Sequence, residues 1–339
     1  MATVSVIMAA YNGAAFLPET LVSLQAQTMT DWELIAVDDC STDGTAAMLE
    51  GWGDERIRVI RAPANGGPVV ARNLAFAAAR GRYAAGLDQD DLCLPERFAK
   101  QVAFLDAHPE TVLVSTAARL LENGRLSPGG WPRQLTPGLI DWLMLVQNPF
   151  AWSSVMFRTD AARRLDPFER PEMRYVEDFD FYHRIRALGE LAQIDEELLL
   201  YRIHDGGASN VFNDTMCANA AKLLSRHAPD IAPLLVAHVM SRRPVPDIAT
   251  LGRLFAGIAR LNEAFAPGRD TETLDRVHRE IATLWHRLCR AGVRSGRIAL
   301  HRAMADRPSG ASIEPAALAD LVVSQAIGGI RAIRRAVAG

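Results

Sequence analysis

Through its first third the chain alternates two patterns: short apolar runs, and longer stretches with apolar residues at helical spacing. Val4-Ser5-Val6-Ile7-Met8-Ala9-Ala10 is the first run, closing at the loop signal Tyr11-Asn12-Gly13. Glu19 to Gln27 carries Leu21 and Leu24 at helical spacing. Trp32 to Val37 is a second strand, ending in Asp38-Asp39. The turn Ser41-Thr42-Asp43-Gly44-Thr45 leads into another helix and supplies capping candidates. Ile57 to Arg61 is a third strand, Asn65-Gly66-Gly67-Pro68 a loop, and Val69 to Ala79 a helix. Tyr83 to Leu87 is a fourth strand, closing on Asp88-Gln89-Asp90-Asp91. Strands alternating with helices predict an α/β domain with a mostly parallel sheet flanked by helices. Ligands bind such sheets at the carboxyl ends of the strands. Here those ends carry three polar clusters on one edge.

Further on, the pattern predicts a helix from Glu96 to Ala107, a strand Val112–Ser115, a surface loop from Asn123 to Pro137 and a strand from Ala151 to Phe157. Tyr175 to Leu188 reads as a helix and Leu198 to Arg202 as a late strand, followed by His204. From about residue 213 the periodicity is helical only, over 214–228, 230–241, 247–265, 271–291 and 313–337. Pro244, Pro246, Pro267-Gly268 and Pro308-Ser309-Gly310 break these segments. The expected organisation is a catalytic α/β domain over 1–212 and an all-helical extension over 213–339.

Composition narrows the function classes. The 339 residues are 49% hydrophobic and 23% charged, ordinary for a globular protein. A net charge of −3 gives no nucleic-acid footprint. Cys40, Cys93, Cys217 and Cys289 form no CxxC pair, so neither zinc nor a disulfide framework is expected, and a reducing compartment fits. Met1-Ala2-Thr3 leads directly into the first strand without a signal-peptide pattern, and no uncharged run reaches the ~18 residues of a membrane span. The expected location is cytoplasmic. The terminal helix, with Ile327, Ile330 and Ile333 beside Arg331, Arg334 and Arg335, is a candidate for peripheral contact with the inner face of the plasma membrane. The helices over 251–265 and 271–291 are candidates for a homodimer interface or an acceptor-binding wall.

The chemistry concentrates in Asp88-Gln89-Asp90-Asp91. Three carboxylates within four residues repel one another unless positive charge sits among them. A hard divalent cation that keeps water and substrate phosphate in its shell is one answer. Asp91 reads as a cap for the following helix. Trp131 and Trp152 are candidates for stacking on a sugar.

Four segments carry a family resemblance: Val4 to Asn12, Asp38-Asp39-Cys40-Ser41-Thr42-Asp43-Gly44-Thr45, Asn65-Gly66-Gly67-Pro68-Val69-Val70-Ala71-Arg72-Asn73, and Asp88-Gln89-Asp90-Asp91. In this order the chain resembles family 2 glycosyltransferases of the GT-A fold, over roughly residues 3–210. The resemblance implies inverting transfer of a sugar from a nucleotide-diphosphate donor, a UDP-sugar above others, with Mn²⁺ or Mg²⁺, to a saccharide, glycolipid or glycoprotein acceptor. It implies donor contacts from Ala10, Tyr11, Asn12, Asp39, Arg72, Asp88 and Gln89. Tyr11 and Asp39 would lie at the nucleobase and ribose, and Arg72 at the base or diphosphate. Asp90 would be the direct metal ligand, with Asp88 shared between ribose and metal and His204 close by. Val176-Glu177-Asp178 matches the later acidic motif, making Asp178 the catalytic base and giving Glu177 the acceptor or the loop to support. Cys40 stands where the family commonly has glycine, which suggests a turn that does not need positive φ.

Inverting chemistry itself requires a second acidic site. The acceptor hydroxyl must lose a proton on the face opposite the leaving diphosphate, so the base cannot be a metal ligand. A nucleotidyltransferase would carry a basic Gly-rich loop after the first strand, which Tyr11-Asn12-Gly13-Ala14-Ala15 lacks. A dehydrogenase would carry GxGxxG there. A non-catalytic nucleotide-sugar binder would have no need of Asp88, Asp90 and Asp178 together.

Overall fold

The computed structural model describes residues 2–305, 307 and 314–338. The chain divides into two compact units: Met1–Pro137 with Pro149–Asn219, and Gly138–Asn148 with Ala220–Gly339.

The first unit is built on one sheet. Its strands are β1 (Val4–Ala10), β2 (Trp32–Asp38), β3 (Ile57–Arg61), β4 (Tyr83–Gly86), β5 (Leu92–Cys93), β6 (Thr111–Glu122), β7 (Arg125–Pro128), β8 (Met156–Arg158) and β9 (Glu190–Ile203), in spatial order β3-β2-β1-β4-β8-β6-β9-β5, with β7 paired to β6. The first four strands are mutually parallel, as their alternation with helices requires. Beyond β4 the sheet is mixed: β8 runs antiparallel to β4 and β6, β5 antiparallel to β9, and β6 parallel to β9. The intervening helices are α1 (Leu17–Gln25), α2 (Thr45–Gly51), α3 (Pro68–Ala78) and α4 (Arg97–Ala107). Pro68 opens α3 where a missing N–H costs nothing. The β1 side chains Val4, Val6, Ile7 and Met8 have no exposed surface, as expected for a strand covered on both faces.

Three sequence expectations change here. The Asn123–Pro137 loop contains β7, which closes a hairpin on β6. Residues 151–157 form a 3₁₀ turn at Trp152–Ser154 and then the short β8. Strands β6 and β9 are longer than their apolar cores. They pair over more than ten positions across irregularities near Thr116 and Ala117, where the polar sequence reads as a strand end.

The remaining elements are α5 (Pro137–Leu143), α6 (Thr159–Ala162), α7 (Glu177–Ile185), α8 (Ala208–Val211), α9 (Asn213–Leu224), α10 (Ala232–Leu234) continued by a π-helix at Leu235–Met240, α11 (Ile248–Phe265), α12 (Thr271–Arg294), α13 (Leu300–Ala305) and α14 (Pro315–Ala338). Every regular element among the second unit's described residues is helical. Asp247 and Asp270 cap α11 and α12, accepting from Thr250 N at 2.7 Å and Thr273 N at 2.8 Å. Val277, Leu284, Trp285, Leu288 and Val293 give α12 a buried stripe. Leu321, Ser324 and Gly328 turn α14 onto it. A Cβ on Gly328 would lie 2.0 Å from the Val293 carbonyl oxygen, so only glycine permits that approach. The break expected at Pro308–Gly310 lies outside the described residues. No helix among the described residues is long and apolar enough to cross a membrane.

Candidate active site

The carboxyl ends of β1, β2 and β4 and the start of α7 carry the candidate residues. The end of β4 is fixed from beneath by Arg97, fully buried at the start of α4, which donates to the carbonyls of Gly86 and Val155, each at 3.0 Å. Ser153 Oγ accepts from the Asp88 N–H at 3.0 Å. The acidic segment therefore leaves the sheet with its backbone already held.

Two arginines and a histidine of the chain meet the acidic segment. Arg72 Nη2 donates to Asp88 Oδ1 at 2.7 Å, and His204 Nε2 lies 2.8 Å from Asp90 Oδ2. Arg202, at the end of β9, donates its backbone N–H to Asp91 Oδ1 and its Nε to the Asp90 carbonyl, both at 2.8 Å. Burial, and then Asp88, push the Asp90 carboxyl above the usual carboxylate range, with His204 opposing. Burial, then Asp90 and Asp88, push Asp91 well above it. Asp91 is 1% exposed and caps no helix: β5 separates it from α4, whose N-terminus has no side-chain cap. The helix-cap expectation for Asp91 is thus replaced by a buried tie between the acidic segment and β9.

Around the β1 end, the Gln89 carboxamide pairs with the Tyr11 backbone on both sides, accepting from N at 2.9 Å and donating to O at 3.0 Å. The Tyr11 ring is left half exposed. Asn12 adopts φ 48° and its Oδ1 accepts from Thr42 N at 2.8 Å. Ala10 is buried, and its carbonyl accepts from Asp39 N at 2.8 Å. Asp39 is 2% exposed, and its two oxygens accept from Gly66 N at 2.8 Å and Gly67 N at 2.7 Å. It orders the loop before α3. Cys40 has φ 63°, so the turn does take the left-handed conformation. The expectation that cysteine marks a turn without positive φ is overturned, and the position stores about 1–3 kcal/mol of backbone strain.

Glu177 and Asp178 open α7, where the helix dipole favours negative charge. Asp178 Oδ1 accepts from Phe179 N at 2.7 Å. Glu177 is 4% exposed and accepts from Arg72 Nη1 at 2.6 Å. Arg72 therefore joins the β4 end to the α7 start. A third carboxylate, Glu169, lies 3.8 Å from Arg72 Nη1 with no exposed surface. Burial pushes Glu169 well above the usual range, with Arg72 opposing. The Arg72 charge is held well above its ordinary value against burial by Asp88, Glu169 and Glu177. The sequence gives Asn73 and Arg202 a place in motif segments but no role, and gives no sign of Glu169. Glu169 sits in a segment with no motif, and only its tertiary contacts mark it. Trp152, a sugar-stacking candidate, is 5% exposed among Phe157, Phe168 and Phe181, so it is core. Trp131 packs edge-on against Tyr201 with ring centres 5.1 Å apart.

No group of three or more His, Cys, Asp or Glu among the described residues converges as a protein-only metal cage. Asp88 and Asp90 are nevertheless hard oxygen donors just beyond β4, and His204, which follows β9, lies against Asp90. That set fits a cation which completes its shell with water and substrate phosphate.

Comparison with known proteins places the chain among glycosyltransferases. A family model described as glycosyl transferase family 2 matches residues 5–166. An uncharacterized glycosyltransferase of Haemophilus influenzae is 30% identical over 186 residues, 54% of this chain and 71% of that one. The succinoglycan biosynthesis protein ExoO of Rhizobium meliloti is 28% identical over 241 residues, 67% and 69% of the two chains. Among solved structures, Staphylococcus aureus TarS 1–349 in complex with UDP-GlcNAc superposes with TM-score 0.56 at 19% identity, covering 96% of this chain and 91% of that one. The chain is a glycosyltransferase and belongs to glycosyl transferase family 2.

Proposed function

We propose that the protein transfers a sugar, with inversion at the anomeric carbon, from a nucleoside-diphosphate donor to a hydroxyl of a saccharide-bearing acceptor, and that the donor is a UDP-sugar. The observation carrying this reading is the approach of two carboxylates from different elements to one guanidinium: Asp88 just beyond β4, and Glu177 beside Asp178 at the start of α7. UDP-GlcNAc in the TarS complex supports uridine, and the name of ExoO supports a polysaccharide-building role. Asp178 takes the acceptor proton, a step that contributes about 10²–10⁴-fold. Tyr11, Asn12 and the loop ordered by Asp39 bind and orient the nucleoside. Asp90, Asp88 and His204 would hold Mn²⁺ or Mg²⁺, which supplies Lewis-acid stabilisation of charge on the departing diphosphate.

A thermal-shift screen of nucleoside diphosphates with and without Mn²⁺ tests the donor site. UDP at about 100 times its Kd should stabilise the fold by about 2.7 kcal/mol. No shift with any nucleotide would sink the donor reading. Asp90→Ala should abolish both transfer and metal dependence. Unchanged transfer would remove the metal assignment.

The outer face of α14 exposes Leu318, Val322, Val323 and Ile330, with Arg331 and Arg334 exposed near its end. Apolar and cationic groups together support peripheral contact with an anionic lipid surface. Val322→Glu should then reduce co-flotation with phosphatidylserine vesicles. Equal flotation of both proteins would reject the contact.

A further inference from the structure

We propose that Arg72 is a positioning residue, fixing the base-bearing helix against the leaving-group side of the site, and that it does not bind the donor. The inference rests on the reading above, in which Asp178 is the base and Asp88 lies on the donor side. Both terminal nitrogens of Arg72 are committed: Nη2 to Asp88 at 2.7 Å and Nη1 to Glu177 at 2.6 Å. Its Nε is buried with no hydrogen-bond partner among the described residues, and the residue is 7% exposed. A guanidinium so enclosed offers a diphosphate little surface. The Trp152 ring lies 4.9 Å from Arg72 Cζ and closes another side.

The neighbouring residue completes the device. Asn73 grips the backbone of Glu169, donating Nδ2 to its carbonyl and accepting its N–H at Oδ1, both at 2.8 Å. That grip holds the third carboxylate 3.8 Å from Arg72 Nη1. Neither oxygen of Glu169 has a hydrogen-bond partner among the described residues. Its interaction with Arg72 is therefore one of placement. Two consecutive residues of α3 thus seize the segment leading into α7, one by backbone and one by side chain. Asp178 follows Glu177 directly, so its placement relative to Asp88 is set through one guanidinium. Only a rigid planar fork can reach both carboxylates at once; a lysine ammonium is a point charge on a flexible stem.

The test separates turnover from binding, using UDP release from UDP-GlcNAc and calorimetric titration of UDP with Mn²⁺. Arg72→Lys and Glu177→Gln should each lower kcat about 10²-fold, the scale of a misplaced reacting group. The donor KM and UDP Kd should stay within about threefold of wild type. A UDP Kd weakened about tenfold with kcat nearly unchanged would make Arg72 a donor ligand and overturn the proposal. Full activity in both variants would overturn it as well. Asp178→Asn tests the base separately: if it stays active while Arg72→Lys shows the turnover loss, the base reading falls and the positioning role stands. If the wild type releases no UDP, the donor reading fails and a stability cycle decides the bridge. The melting-temperature losses of Arg72→Lys and Glu177→Gln should then be less than additive in the double variant, and additive losses would reject the link.

Discussion

Cys40 shows what a single residue can hide. A glycine there would relieve the left-handed strain, at a cost of about 0.5–1 kcal/mol in unfolded-state entropy. Cys40→Gly should therefore raise the melting temperature, and a fall would show that the Cys40 thiol contact with the Ala62 carbonyl outweighs the strain. Asp39 is the opposite case, its two charge-assisted bonds holding Gly66 and Gly67. Asp39→Asn can accept at one oxygen only and should cost about 1.5–3 kcal/mol in urea denaturation. Glu169 makes a pH-dependent prediction. Its folded pKa is raised, so its stabilising contribution is complete below the unfolded value of about 4.3 and is lost as pH rises toward the folded value. Glu169→Gln abolishes that loss. Its urea midpoint relative to wild type should increase from about pH 5 to about pH 8, and a constant difference would mean that Glu169 stays at its ordinary value. None of these three positions announces its tertiary role in sequence. Motifs name residue types, whereas strain and burial depend on partners distant along the chain.

Elements were more legible where one physical cause dominates. The four parallel strands follow from unbroken apolar runs, and β3 has the bounds its pattern implies. The expected helix over 175–188 is shortened to α7, because Tyr175 takes φ 70° before it and a 3₁₀ turn follows it. That shortening puts Glu177 and Asp178 at the first two helical positions rather than the third and fourth. Helix α5 escaped notice because Pro137 and Gly138 read as loop residues. Its buried face of Leu139, Ile140, Trp142 and Leu143 is too short to establish a period. The long pairing of β6 with β9 was hidden by polar residues: Ser115 and Thr116 in the middle of β6, and Gln193, Asp195, Glu196 and Glu197 ahead of the apolar end of β9. Yet that pairing carries Arg202 and His204 to the acidic segment.

At the scale of the whole chain, the α/β class and the helical character of the later residues were readable from periodicity alone. The mixed half of the sheet was not, because antiparallel strands beyond β4 arrive through turns and irregular segments that carry no crossover signature. The two units also differ in what stabilises them. The first combines a sheet core with buried ion pairs, whereas the second depends on an apolar stripe with capped helix starts. Trp285→Ala should cost that helical unit about 3–5 kcal/mol, read as a lower urea midpoint for loss of far-UV helicity. A change below about 1 kcal/mol would mean the stripe is not its core.

The Gln89 carboxamide occupies the volume that a side chain at Gly13 would need: a Cβ built there lies 2.1 Å from Gln89 Oε1. The two positions are 76 apart in sequence and constrain each other's mutational history. A larger residue at 13 displaces the Gln89 carboxamide from the Tyr11 backbone, and a shortened 89 strands the same Tyr11 amide. The middle of an acidic motif, usually treated as a free position, is here an epistatic partner of the first loop. Variant libraries that randomise 89 alone should recover few functional members, and libraries that vary 13 and 89 together should recover more.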